Sequence, residues 1–138
     1  MKTNDFDNVY LKGLDYLQEG NFEQAKSQFG TLKNSSDPDN LNPHVQRIGS
    51  LFYQLAHLEQ TIFNRSKSAT KITNVADART YFVALEDVRK RAESYSEMGD
   101  KKSADFRQHH DIATKALIDS INIRPSEDLT ALLNKYIF

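Results

Sequence analysis

Apolar residues recur at steps of three and four along nearly the whole chain, the period that puts them on one face of an α-helix. Val9, Leu11, Leu14 and Leu17 predict a first helix over about residues 5–18, and Gly20 ends it by tolerating a left-handed backbone. Asn21 is placed to cap a second helix, with Gln24 in capping-box register and Phe22, Ala25, Phe29 and Leu32 as its inward stripe. The two form a hairpin over residues 5–33. The cluster of Asn, Ser, Asp and Pro at 34–42 then reads as a linker, because those residues stop helices and form turns. Pro43 opens a third helix, 43–65, carrying Val45, Ile48, Phe52, Leu55, Leu58 and Ile62 at helical steps. Leu51 and Phe63 widen its apolar face, which predicts contacts on two sides and a central position.

Residues 66–74 are polar and predict a loop. A fourth helix, 75–98, shows Val75, Ala78, Phe82, Leu85, Val88, Ala92 and Tyr95 on one stripe and ends at Gly99. A fifth, 101–123, presents Phe106, Ala113, Ala116, Leu117 and Ile121 before Pro125 forbids continuation. Ser126 can cap a final helix, 126–137, with Glu127 and Asp128 in its first turn, where the helix dipole favours anions. Leu129, Leu132, Leu133, Tyr136, Ile137 and Phe138 make this last helix apolar enough to act as a lid over the end of the stack. No segment alternates with period two, so the expected fold is all-α, with about six helices in a single domain of 138 residues.

The segment from Phe6 to Pro38 resembles one tetratricopeptide repeat. Gly13 and Tyr16 match the small and aromatic positions of its first helix, Gly20 and Phe22 its turn, and Ala25 and Phe29 its second helix. Three positions depart: Val9 stands where the family has Trp, Lys12 where it has Leu, and Asp37 where it has the closing Pro. A weaker echo lies in Ala113, Leu117 and Ser120 ahead of Pro125, out of register by nine residues with the turn-like Gly99-Asp100 and Ala104. The resemblance implies antiparallel helical hairpins stacked as a short array, or a bundle in which only the first hairpin follows the motif. It also implies a partner-binding surface on the first helix, formed by Asp7, Tyr10, Leu14, Leu17 and Gln18. Such a surface suits an amphipathic helix or an extended apolar segment of another protein, acting as an adaptor or chaperone-like contact. Burial of the same residues by the chain's own C-terminal helix is the alternative.

A net charge of −1, from 18 basic and 19 acidic residues, argues against nucleic acid or an anionic membrane as general partners. The charge is uneven, however. Residues 1–40 carry four basic and seven acidic side chains, whereas residues 65–102 carry nine basic and six acidic. Arg79, Arg89, Lys90, Arg91, Lys101 and Lys102 could therefore form a solvated face, or a basic patch that meets nucleic acid or an acidic partner. Cysteine is absent, the first thirteen residues lack a basic-then-apolar start, and no run nears the ~18 apolar residues of a membrane span; a cytoplasmic protein is expected.

Candidate chemistry is sparse. His109-His110-Asp111 is the densest polar cluster, but neighbouring helical residues point about 100° apart, so no metal site is expected and one histidine should sit at the core edge, the other in solvent. His44 and His57 lack a ligand spacing to join them. Asp37-Pro38-Asp39-Asn40 begins like a calcium loop but lacks the later ligands and reads as a turn. Neither a phosphate-binding glycine loop, a nucleophile elbow nor a dinucleotide fingerprint occurs, and the expectation is a binding protein, not an enzyme, without a cofactor. The apolar C-terminal helix could fold back onto its own core or join two copies in a homodimer.

Overall fold

The structure is a computed structural model and describes residues 3–35 and 42–137. Its elements are α1 (Thr3–Gln18), α2 (Phe22–Lys33), α3 (Asn42–Arg65), α4 (Val75–Glu93), α5 (Asp100–Ser120) and α6 (Glu127–Tyr136), with single 3₁₀ turns at Ser68–Thr70 and Ser96–Met98. The fold is all-α, with six α-helices and no strand among the described residues. The turn read at residues 37–40 and the terminal Phe138 lie outside the described residues.

The first hairpin closes as the glycine pattern requires. Gly20 has φ +77, Asn21 N–H donates to the Tyr16 carbonyl (2.8 Å) and Gly20 N–H to the Leu17 carbonyl (3.1 Å), the paired bonds that satisfy a helix C-terminus. A Cβ on Gly13 would stand 2.6 Å from the Phe29 ring, so glycine is what lets α1 meet α2 there. Asn21 differs from expectation: its side chain makes no capping bond, and its backbone (ψ 75) is not the extended form from which a cap side chain reaches back.

Helix α3 is the hub, touching α1, α2, α4 and α5. Ile48, Phe52, Leu55 and Ile62 are fully buried along it. Gly49 allows its closest approach to α2, since a Cβ there would lie 2.4 Å from the Lys33 backbone nitrogen. At its far end Arg65 donates to Asp77 (2.6 Å) and to the Thr70 carbonyl (2.6 Å), tying α3 to the start of α4. The Asp77 carboxylate, and behind it Tyr81, raises the basicity of Arg65.

Two cores share this hub. The first gathers Phe6, Tyr10, Phe29, Leu32, Phe52 and Phe106 between α1, α2, α3 and α5. The second gathers Ile62, Ile72, Phe82, Leu85, Leu117 and Leu132. Each such fully buried side chain contributes about 1.5–3 kcal/mol. Helix α6 closes the second core, with Tyr136 stacked on Phe82 at 5.6 Å and Ser126 capping through the Leu129 N–H (3.1 Å). Leu132 is buried and Leu133, Tyr136 and Ile137 pack half-buried against the same core.

Two boundaries move. Helix α4 stops at Glu93, not near 98, because Ser94 turns its hydroxyl onto the Arg91 carbonyl (2.9 Å) and Tyr95 bends back to α3. There its hydroxyl meets His44 Nδ1 and its ring lies 4.9 Å from the Arg47 guanidinium. Helix α5 stops at Ser120 rather than 123, since Ile121 leaves the helix to bridge Ile72. The Ile72 N–H donates to the Ser120 carbonyl (2.9 Å) and Asn122 N–H to the Ile72 carbonyl (2.8 Å). The loop expected at 66–74 is thus a structured strap whose Ile72 is fully buried. Among the described residues, no helix is long and apolar enough to cross a membrane.

Candidate functional site

The surface expected on α1 is largely covered. Tyr10, Leu14 and Leu17 are only 3%, 4% and 4% exposed. The cover is not the C-terminal helix, which sits on α4; α2 and α3 pack on α1, and the first half of α5 reaches Tyr10 through Asp105. Tyr10 packs edge-on against Phe52 (5.1 Å) and its hydroxyl donates to Asp105 Oδ2 (2.8 Å). Burial, with the Asp105 carboxylate adding to it, holds that phenol far above its ordinary pKa. Lys101 Nζ donates to the other Asp105 oxygen (2.7 Å), and Lys102 lies about 5 Å above the Phe6 and Tyr10 rings. Tyr10 and Leu14 are therefore core residues, while Asp7 and Gln18 remain at the surface.

The basic residues do not form a free positive field either. Arg89 pairs with Glu93 (2.9 Å) and Glu86 (3.6 Å), Lys90 with Glu86 (3.3 Å) and Arg91 with Asp87 (2.9 Å), all one turn apart on α4. Lys101 is held by Asp105 and Lys102 lies 4.0 Å from Asp7. Arg79 is exposed, about three turns from that group along the same helix.

Where the cover of α1 ends, a cleft of about 550 Å³ opens between the end of α1, the α1–α2 turn, α3 and α5. Phe22 and Phe63 form one wall with ring centroids 5.5 Å apart, and Ile112 faces them from α5. Phe63 and Ile112 are 37% and 39% exposed and lie on the same cleft. Leu17 and Gln18, two of the residues expected to meet a partner, line the α1 side.

The polar floor of the cleft is formed by Glu59 of α3 and His109 of α5, each 1% exposed. His109 Nδ1 and Glu59 Oε1 are 3.6 Å apart, too long for a hydrogen bond. Among the described residues, Glu59 Oε2 and both ring nitrogens of His109 have no hydrogen-bond partner. A buried polar group left so costs about 1–3 kcal/mol. Burial pushes the Glu59 carboxyl above the usual carboxylate range, and His109 only partly pulls it back. The residues lining the cleft include two carboxylates, Glu19 and Glu59, and neither Lys nor Arg.

The adjacent histidines diverge as the helical geometry requires, but both are deeper than expected. His109 is wholly in the core, and His110 is half-buried with Nε2 2.9 Å from the Leu85 carbonyl of α4. Among the described residues no group of three or more His, Asp or Glu is placed to hold a metal ion. Glu59 went unmarked in the sequence, although Phe52, Leu55, Glu59 and Ile62 keep the three-and-four step that puts it on the inward face. A second cleft, of about 290 Å³, lies between the end of α4 and the start of α5; Arg89, Arg107 and His110 share its walls with Glu93, Asp100 and Asp111, so it favours neither sign of charge.

Comparison of the chain with family models, characterised proteins and solved structures found no match.

Proposed function

We propose that the protein is a protein-binding module, an adaptor or chaperone-like component, that receives an apolar or helical segment of a partner in the cleft between α1, α3 and α5. The observation that carries this reading is the convergence of half-exposed Phe63 and Ile112 on one concave site whose volume and apolar walls suit a docked side chain. A tetratricopeptide-like hairpin is part of the same proposal. Its support is local: the Gly13–Phe29 contact and the left-handed Gly20 belong to such a hairpin, with the binding surface shifted from the middle of α1 to its end.

The test is a paired variant, Phe63→Ser with Ile112→Ser. Both side chains are partly solvent-exposed, so the melting temperature should change little. Partners captured by the unmodified protein from its native lysate should be lost from the variant. Retention of the same partners by a folded variant would exclude this cleft as the docking site.

A further inference from the structure

We propose that the cleft is a receptor for a cationic side chain, an arginine projecting from the partner segment, with Glu59 as its counter-ion; this rests on the partner-binding reading above. The first ground is charge. Glu59 stands at the floor and Glu19 at the rim, with neither Lys nor Arg among the lining residues. The second is hydrogen-bonding sense. Glu59 Oε2 is a buried acceptor without a donor, and the side-chain oxygens of Gln18 and Gln108 are further acceptors at the walls. A guanidinium brings five N–H donors, which can reach the unpartnered Glu59 oxygen and the amide oxygens together.

The apolar walls fit the same occupant. The methylene stem of an arginine lies well against Leu17 and Ile112, and its flat head can stack on the Phe22–Phe63 pair. Energetics favour it too. A buried ion pair is usually poor value because both charges must be desolvated, but Glu59 is already desolvated by folding. An incoming cation therefore meets a carboxylate that has lost its water and gained no donor. A neutral apolar anchor would fill the walls and leave that acceptor unsatisfied; an acidic anchor would face two carboxylates.

Four helical peptides of one leucine-striped sequence, differing only in a central Arg, Lys, Gln or Glu, test this by titration of the full chain with methyl signals of Leu17 and Ile112 as the readout. The Arg peptide should bind at least tenfold more tightly than the Gln peptide, with Lys between them and Glu weakest. Glu59→Gln should abolish the Arg-over-Gln preference, and Glu59→Asp should keep part of it. Should Glu59→Gln not fold, the ranking of the four peptides on the unmodified protein decides alone. Equal binding of Arg and Gln peptides at the cleft overturns the cation reading and leaves the docking cleft standing. Cleft signals that stay still with every peptide overturn both.

Discussion

Glu59 on α3 and His109 on α5 face each other across the first core's edge with Oε1 and Nδ1 3.6 Å apart, close enough to feel each other's charge and too far to share a proton well. Both occupy positions that the helical period assigns to apolar residues: Leu55 precedes Glu59 by one turn, and Phe106 and Ala113 flank His109. Two helices thus place polar groups in a packed core where each would be cheaper as Leu. An interior polar pair left short of partners marks a site with a use beyond stability, because folding alone would select against it.

The first prediction concerns pH. Burial raises the Glu59 carboxyl in the folded chain above the ordinary value of 4.5, so the folded state holds that proton more tightly than the unfolded state. Ionising Glu59 then costs stability as pH rises from the ordinary carboxylate range through the raised value, and costs nothing below it; His109, the titratable group facing it, offsets part of the loss. Glu59→Gln should therefore be more stable than the unmodified protein at pH 7–8, by about 1–3 kcal/mol, and the two should converge below about pH 4. Urea unfolding across that range measures it. A variant less stable at neutral pH would mean that Glu59 is anchored by an ion pair with His109.

Close helix approach gives a second, graded prediction. Replacing glycine by alanine inside a helix ordinarily gains about 1 kcal/mol. At Gly49 the new methyl would meet the Lys33 backbone at 2.4 Å, and backbone cannot move aside, so Gly49→Ala should lose about 1–3 kcal/mol. At Gly13 the obstacle is the Phe29 ring at 2.6 Å, a side chain with some room to tilt. Gly13→Ala should cost less than Gly49→Ala in the same denaturation series. The reverse order would show that the α1–α2 contact, not α2–α3, is the tighter constraint.

How far the sequence was legible follows from which interactions are local. The stripes, Gly20, Ser126 and the central place of α3 were readable because period, turn chemistry and capping act within a few residues. The ends of α4 and α5 were not, since Tyr95 leaves its helix for His44 and Ile121 for Ile72, partners 51 and 49 positions away. The site suffered most. Leu17 and Gln18 do line the cleft, but Tyr10 was drawn into the core by Asp105, 95 residues on, and Glu59 was passed over because its inward register was credited to Leu58.

The charge pairing on α4 carries a third prediction. Arg89, Lys90 and Arg91 each lie within 4 Å of a carboxylate on their own helix, which lowers the positive potential that a phosphate backbone would meet. Labelled duplex DNA or single-stranded RNA should therefore show no retardation by micromolar protein at 50 mM salt. Binding that weakens with added salt, and is lost in Arg79→Ala with Lys90→Ala, would restore the basic face as a contact surface.

Tyr10 separates a core residue from a contact residue. Its hydroxyl is bonded to buried Asp105 and its ring is wedged against Phe52, so the two parts of the side chain can be removed in turn. Tyr10→Phe keeps the ring and deprives Asp105 of a donor, for a loss of about 1–2 kcal/mol, with Lys101 still in place on the other oxygen. Tyr10→Ala also opens a cavity between α1, α3 and α5 and should lose about 3–5 kcal/mol. If Tyr10 were a partner contact, the alanine variant would stay folded and lose only binding. Thermal melts of the two variants beside Asp105→Asn distinguish the cases: Tyr10→Phe and Asp105→Asn combined should cost less than the two losses added, because both remove the same bond.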